Sequence, residues 1–393
     1  MIGLSYLVES FSASYGFSRA AVVRILSVYG VRGARLYFEA IRSPGSHYYL
    51  RVNTVKASRE EVIKLLREEG FKAFPSRILE DAIFLRIRGP YAIKPRGKKV
   101  YADKAASESV YMGANLYAPG VKKAPKVKEG DIVTIYSPNL KPVAVGIAEM
   151  DGDEMETSRR GLAVRVTESV YRVPSVLETE AHKRGLVYAQ SLPSMLSVKA
   201  LNPQPGEVVL DMCAAPGGKA TYAGQLMLNE GVVFAIDRTE SKVSQIARNA
   251  ERLGLKNIKP LVADSRYIDK VDIPEKPDAI IIDPPCSALG VRPKLYYSKS
   301  FAELEALPLY QRQFFKAASR VIKRGGRILY STCTVTYSEN EENVYWATSK
   351  LGLKVRMHKP FYGEAVKLGS GYVQRFNPYI HNQPGFFISI LVR

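Results

Sequence analysis

Three short stretches hold the residues best suited to chemistry: Cys213-Ala214-Ala215-Pro216-Gly217-Gly218-Lys219, Asp283-Pro284-Pro285-Cys286 and Ser331-Thr332-Cys333-Thr334. Each follows an apolar, strand-like run, so each belongs at the carboxyl end of a strand, where the catalytic groups of an open α/β sheet collect. The three cysteines of the chain are the three in these stretches. None forms a C-x-x-C pair or stands beside histidines at zinc-ligand spacing, so neither a disulfide framework nor a metal site is expected. A cysteine just past a strand end, with access and a nearby acid, can act as a thiolate nucleophile. Cys286 and Cys333 both qualify, and residue chemistry alone does not order them. Cys213 lies inside a glycine-bearing turn and reads as a small packing residue.

That turn is the natural ligand loop, because its small residues let a bound molecule approach the backbone. Its spacing is not the G-x-G-x-x-G of dinucleotide enzymes, so a pyrophosphate is not indicated. Asp237 closes the next strand, where a carboxylate can accept from both hydroxyls of a ribose, and Asp264 closes the third, where it can accept from an adenine amino group. Taken singly, each aspartate also reads as a cap or turn residue. In register they suit an adenosyl ligand without phosphates. Lys219 falls at a helix start, where the dipole disfavours a cation, which favours a functional reason for it.

The elements that must position these residues are legible around them. Val208-Val209-Leu210 ends at Asp211, the run from Gly231 to Ile236 ends at Asp237, Ala279-Ile280-Ile281-Ile282 ends at Asp283, and Arg327 to Tyr330 runs into Ser331. Such runs, alternating with helical segments from about Val173, predict a parallel sheet buried on both faces. Upstream, Gly113, Pro119-Gly120, Gly130-Asp131, Pro138-Asn139, Gly152 and Gly161 punctuate short alternating strands, the pattern of a small β-barrel. The first ninety or so residues read as an independent α+β unit. In it, Tyr48 to Val52 is strand-like, Ser58-Arg59-Glu60-Glu61 is a capping box, and Gly70 closes the helix. The boundaries drawn are 1–93, 94–172 and 173–393.

Charge narrows the partners. Lys and Arg number 57 against 38 Asp and Glu, a formal net charge of +19, which favours polyanions. The excess is concentrated: Lys94, Arg96, Lys98, Lys99, Lys104, Lys122, Lys123, Lys126 and Lys128 face only Asp103 and Glu108 between residues 94 and 128, a density suited to phosphate contacts. A merely solvated basic surface is the alternative. No stretch approaches the roughly 18 apolar residues of a membrane span, and the first residues, with Glu9 and no basic n-region, do not read as a signal peptide. A cytoplasmic protein is expected, with no membrane role and no obligatory protein partner evident.

The motifs then converge on a family. Asp-Met-Cys-Ala-Ala-Pro-Gly-Gly-Lys from Asp211, Asp-Pro-Pro-Cys-Ser from Asp283 and Ser-Thr-Cys-Thr from Ser331 together resemble the Sun/Fmu (Nop/Sun) family of RNA cytosine-5 methyltransferases. Residues Gly113 to Val121, with Tyr117 among them, then Glu129 to Val133 and Val145 to Ala148, are similar to a PUA domain, an RNA-binding barrel; a barrel used only as a spacer is the alternative. The resemblance implies a Rossmann-like α/β methyltransferase domain that uses S-adenosylmethionine, with the PUA barrel and an N-terminal α+β domain before it. It implies that Cys333 adds to carbon six of the cytosine, that Cys286 helps break the adduct, and that Lys219 contacts the base, while Asp283 would face its Watson–Crick edge. DNA enzymes use the cysteine of a Pro-Cys motif instead. The target base must be flipped or unpaired. The chain departs from the family pattern at Asn382-Gln383-Pro384 before Gly385-Phe386-Phe387, and at Gln190-Ser191-Leu192-Pro193-Ser194.

A PUA barrel ahead of the catalytic domain resembles the branch that methylates the acceptor end of tRNA. Held there, the CCA tail would leave the last paired cytosine in the cleft, with Gly113, Tyr117, Lys122 and Lys123 on the RNA. Ribosomal RNA is the alternative substrate. Two other classes are weighed: an exocyclic-amine methyltransferase, which places an aromatic residue where Cys286 stands, and a non-catalytic RNA-binding assembly factor, against which the intact cysteines, Asp283 and Lys219 argue.

Overall fold

The apolar runs become the strands of one large sheet. In the computed structural model, which describes residues 2–393 apart from Arg159 and Asp272, these strands are β1 (Val208–Asp211), β2 (Val232–Asp237), β3 (Ile258–Val262), β4 (Ala279–Ile282) and β5 (Arg327–Thr332). They pair in parallel in the order β3-β2-β1-β4-β5. β6 (Lys354–Arg356), β7 (Glu364–Leu368), β8 (Gly371–Phe376) and β9 (Phe386–Val392) complete it, with β9 antiparallel to β5 and paired to both β8 and β6. Chain order reverses between β1 and β4. That switch point opens a crevice at the carboxyl ends of the strands, the ligand-binding place of an open α/β sheet.

Both faces of the sheet are covered, which explains why β1 and β4 are apolar at consecutive positions rather than alternate ones. Helices Leu192–Leu201, Gly218–Leu226 and Glu240–Leu253 cover one face through Leu196, Ala223 and Ile246. Helices Phe301–Val321 and Glu341–Leu351 cover the other through Phe315, Ala318 and Val344.

The middle region folds as expected into a six-stranded, barrel-like sheet from Lys98–Ala102 to Leu162–Ser169, closed around Val100, Val110, Ile135 and Val164. In the N-terminal region, strand His47–Val52 and helix Arg59–Glu68 form where the pattern places them. Ser58 Oγ accepts from the Glu61 N–H and the Glu61 carboxylate accepts from the Ser58 N–H, at 3.3 and 2.7 Å.

Two features differ from the sequence expectation. The N-terminal unit is not independent: helix Arg19–Ile41 packs Phe38 and Ile41 into a core shared with Leu289, Tyr297, Leu304 and Val335 of the catalytic region. Its sheet is also completed from beyond the barrel, because Val187–Ala189 pairs antiparallel with His47–Val52 as an edge strand. A three-residue strand carries too short an alternation to be read, and its partner is more than 130 residues away, beyond any local pattern.

Candidate active site

The two cysteine loops leave neighbouring strands, β4 and β5, which pair in parallel through Ile282 and Tyr330. This brings Cys286 Sγ and Cys333 Sγ to 3.2 Å. The loops are tied to each other around the sulfurs. Ser287 and Thr334 share a hydroxyl–hydroxyl bond of 2.6 Å, and the Gly290 N–H donates to the Cys333 carbonyl at 2.9 Å. Glu339, 1% exposed, fixes the arrangement from below by accepting from the Ser287 N–H, Gln311 Nε2 and Thr336 Oγ1 at 2.8, 2.9 and 2.8 Å. The hydrogen bond to Cys333 and then burial push the Cys286 thiol well above its ordinary range.

Beside the sulfurs, Asp283 accepts from Lys219 Nζ at 2.5 Å and from Ser331 Oγ at 3.1 Å. Burial works against the Lys219 charge, but Asp283, Asp211 and Cys333 outweigh it and hold the ammonium above its usual range. Its nitrogen also lies 5.5 Å from the centre of the Phe386 ring. Asp211, at the end of β1, is fully enclosed, and burial lifts its carboxyl to about 7 although Lys219 pulls it down.

A cavity of about 320 Å³ is lined by Cys213, Ala215, Asp237, Ser265, Asp283, Cys286, Tyr310, Phe314 and Cys333. Asp211, Cys213, Ala214, Ala215, Pro216, Gly218, Lys219 and Asp283 line an adjoining one of about 250 Å³, with Tyr188, Gln190, Ser191 and Ser194. Most of the residues singled out in the sequence therefore meet in one place. Gly217 sits at φ +106° as the helix begins, a conformation open to glycine. Cys213, half-buried near Asp211, Asp283 and Asp237, has its thiol pushed well up by desolvation first and those carboxylates second, which suits packing rather than attack.

Asp264 stands just past the end of β3, where the sequence places it. Its carboxylate is gripped by the Arg266 side chain, with Nε at 2.9 Å, and it does not line the cavity. The neighbouring Ser265 does, with its hydroxyl buried and without a hydrogen-bond partner. An unsatisfied hydroxyl beside Asp237, whose Oδ2 accepts from the Ala215 N–H at 3.2 Å, fits an adenosyl ligand that brings its own hydroxyls and ring nitrogens.

Sequence reasoning missed Arg51. Its guanidinium, from the N-terminal sheet, donates to Gly218 O, Gln190 Oε1 and Thr221 Oγ1 at 2.8, 2.9 and 3.0 Å and stacks between Tyr188 and Tyr222. No local signal marks it, since its partners lie 139 or more residues along the chain.

The barrel residues are exposed rather than gathered into a pocket. Tyr117 is 58% exposed, Lys122 and Lys123 lie on the surface of strand Val121–Lys123, and Gly113 takes φ +100°. Of the nine cations between residues 94 and 128, Arg96, Lys98 and Lys128 form ion pairs, with Glu168, Asp131 and Asp151. Among the described residues the other six have none, so both a phosphate-binding and a merely solvated basic surface are compatible with them. No helix among the described residues is long and apolar enough to cross a membrane.

Sheet order, ligand turn and cysteine pair define a methyltransferase of the S-adenosylmethionine-dependent class. The family model described as "16S rRNA methyltransferase RsmB/F" matches residues 198–392, a PUA domain matches 98–170, and a "Methyltr_RsmF/B-like, ferredoxin-like domain" matches 29–92. The chain is 43% identical to the tRNA (cytosine(72)-C(5))-methyltransferase of Pyrococcus horikoshii, covering 93% of this chain and 94% of that protein. It is 34% identical to the human tRNA (cytosine(72)-C(5))-methyltransferase NSUN6, covering 92% and 87%. The crystal structure of NSun6 from Pyrococcus horikoshii with SFG superposes with a TM-score of 0.89 at 42% identity, covering 96% of this chain and 98% of that one. The chain belongs to the Sun (RsmB/F) family of RNA cytosine-5 methyltransferases, in the group that carries a PUA domain, and its cofactor is S-adenosylmethionine.

Proposed function

We propose that this protein methylates carbon five of a cytosine in tRNA, at the last paired position of the acceptor stem. In this reading the reaction passes through a bond between the Cys333 sulfur and ring carbon six. The observation that carries it is the pair of sulfurs 3.2 Å apart beside the Lys219–Asp283 ion pair. Carbon five of cytosine is a poor nucleophile until a thiolate adds at carbon six and turns the ring into an enamine. The hydrogen bond shared with Cys333 and then burial hold the Cys286 thiol well above its ordinary range, which suits Cys286 as the protonated neighbour of the nucleophile.

As sulfur adds, negative charge builds on the ring. The Lys219 ammonium, bonded to Asp283, would offset that charge, while Asp283 would accept from the exocyclic amine. The methyl group comes from S-adenosylmethionine, as an electrophilic carbon on sulfur. Asp237 would hold the ribose, and Ser265 and the 213–219 turn the remaining polar edges. Afterwards a base removes the proton at carbon five, the electron pair of that C–H bond forms the double bond between carbons five and six, and the carbon–sulfur bond breaks with its own pair going to Cys333, which leaves as the thiolate. Cys286 stands within reach to help that step.

The choice of tRNA is supported by relatives named for cytosine 72 that align along the barrel as well as the catalytic region. A CCA tail held by the barrel, near Gly113, Tyr117, Lys122 and Lys123, would set the reach to the cleft. Incubation with tritiated S-adenosylmethionine and either total tRNA or ribosomal RNA, followed by bisulfite sequencing, tests class, base and position together. Label confined to ribosomal RNA would overturn the tRNA assignment, and no label in any RNA would overturn the activity.

A further inference from the structure

The segment following Cys286 joins three parts of the molecule. The Lys294 N–H donates to Ile41 O in the N-terminal helices at 2.8 Å, and the Tyr297 N–H to Gly16 O at 3.0 Å. Leu295 sits in the core of the barrel, its N–H bound to Glu108 Oε1 at 3.0 Å and its carbonyl to Asn139 Nδ2 at 3.1 Å. The Tyr297 hydroxyl returns to the cysteine loop, donating to Ser287 O at 2.9 Å. RNA bound to both the barrel and the sulfurs would pass along this seam.

Lys294 lies in the seam and is only 3% exposed. Among the described residues its ammonium has neither an ion pair nor a hydrogen bond; what it has is the Tyr297 ring, 5.6 Å from the nitrogen to the ring centre. The Lys104 ammonium, at the start of the barrel helix Lys104–Tyr111, stands 5.1 Å from the centre of that same ring. Phe17 stacks nearly parallel on it as well, 5.9 Å away. The nearby acid is Glu108: its carboxylate accepts from the Leu295 N–H and attracts both Lys294 and Lys104, though among the described residues it forms an ion pair with neither. A buried cation without a partner is costly, and a second cation beside it makes it more so. The cost is visible in Lys294 itself: burial first and Lys104 second bring its ammonium down to about 8, against the upward pull of Glu108, Cys333 and Cys286. An anion arriving between the two lysines removes both penalties.

We propose that Lys104 and Lys294 form a phosphate site that holds one backbone phosphodiester of the RNA where the strand passes from the barrel to the cysteine pair. The proposal rests on the reading of the protein as an RNA methyltransferase. Lysine suits the task, as a point charge that needs no fixed hydrogen-bond geometry. The site would carry no sequence information; it would fix the register in which the target nucleotide leaves its stack and enters the cleft. Because one lysine belongs to the barrel and the other to the catalytic region, the bound phosphate would also pin the two together.

The test replaces single phosphates near the target cytosine of an acceptor-end RNA with uncharged methylphosphonates and measures both affinity and methylation. With the wild-type protein, one linkage within about two nucleotides of the target is expected to lose on the order of tenfold in affinity when neutralised, the scale of one lost charge contact. Lys294→Met and Lys104→Gln should each bind unmodified RNA about tenfold more weakly and be indifferent to neutralisation of that same linkage, with S-adenosylmethionine affinity unchanged. Lys294→Met removes an unpaired buried charge and should keep or raise the melting temperature. An identical sensitivity profile in wild type and both variants, or no sensitive linkage in the wild type, overturns the proposal; so does a drop in melting temperature of Lys294→Met with its RNA profile unchanged, which would make the lysine a packing residue. Should the wild type bind these RNAs without methylating them, the activity reading fails while the affinity series still decides the phosphate site.

Discussion

Two thiols 3.2 Å apart are assigned opposite ends of one reaction coordinate. If Cys333 makes the bond to carbon six and Cys286 helps to break it, removing the first abolishes the adduct and removing the second traps it. Cys286→Ala, incubated with tRNA and S-adenosylmethionine, is therefore expected to give a slow band on a denaturing gel, stable to boiling in detergent. Cys333→Ala and the double variant should give none, and Cys213→Ala should keep turnover if its buried thiol only packs. Adduct accumulating in Cys333→Ala would instead make Cys286 the nucleophile. The cofactor assignment is tested at the same scale. Asp237→Ala should weaken S-adenosylmethionine binding by roughly 1.5 to 3 kcal/mol, the range for a lost charge-assisted hydrogen bond, without unfolding the protein; calorimetry on the folded variant reads this directly.

The strand-end loops work because other elements hold them. Glu339 accepts three hydrogen bonds beneath the Cys286 loop with 1% of its surface exposed. Glu339→Gln keeps the size but turns one acceptor into a donor that faces donors, which costs about 1 to 3 kcal/mol. Denaturant unfolding should register that loss. Turnover should fall by more than S-adenosylmethionine affinity does, since Ser287, held by Glu339, is the neighbour of Cys286. Equal stability and unchanged turnover would remove Glu339 from the support of the loop.

Elements of this kind divide what was legible from what was not. The strands ending at Asp211, Asp237 and Asp283 could be read because burial on both faces writes itself as an unbroken apolar run, and the ligand turn because glycine and proline punctuate it. Asp264 is ambiguous in sequence because a strand-ending carboxylate looks the same whether it faces a ligand or its own neighbour's guanidinium, and here it is paired with Arg266. Ser265 was invisible because a lone serine carries no pattern. Arg51 and the edge strand Val187–Ala189 depend on pairings across more than 130 residues, and no local period records those.

At the scale of the whole molecule, the N-terminal region is part of the catalytic body rather than an appendage: Arg51 holds the start of the cofactor helix, and Phe38 and Ile41 share a core with Leu289 and Val335. The barrel is joined to that body at Leu295, close in sequence to Cys286. If the barrel grips the RNA, this geometry would make it a ruler, holding what it grips at a set distance from the sulfurs. The six cations between residues 94 and 128 that form no ion pair among the described residues would supply an electrostatic grip, so RNA affinity should fall steeply with salt, and Lys122→Glu with Lys123→Glu should weaken tRNA binding while sparing the cofactor. A ruler also needs its end stop. If the single-stranded tail is what the barrel holds, tRNA lacking CCA keeps the duplex and its phosphates but loses its register, and it should be a poor substrate even where it still binds. The comparison is of methylation rates at saturating RNA, which separates register from affinity. Tailed and tailless tRNA methylated at the same rate would leave the barrel as a general phosphate-binding surface and place the choice of cytosine within the cleft itself.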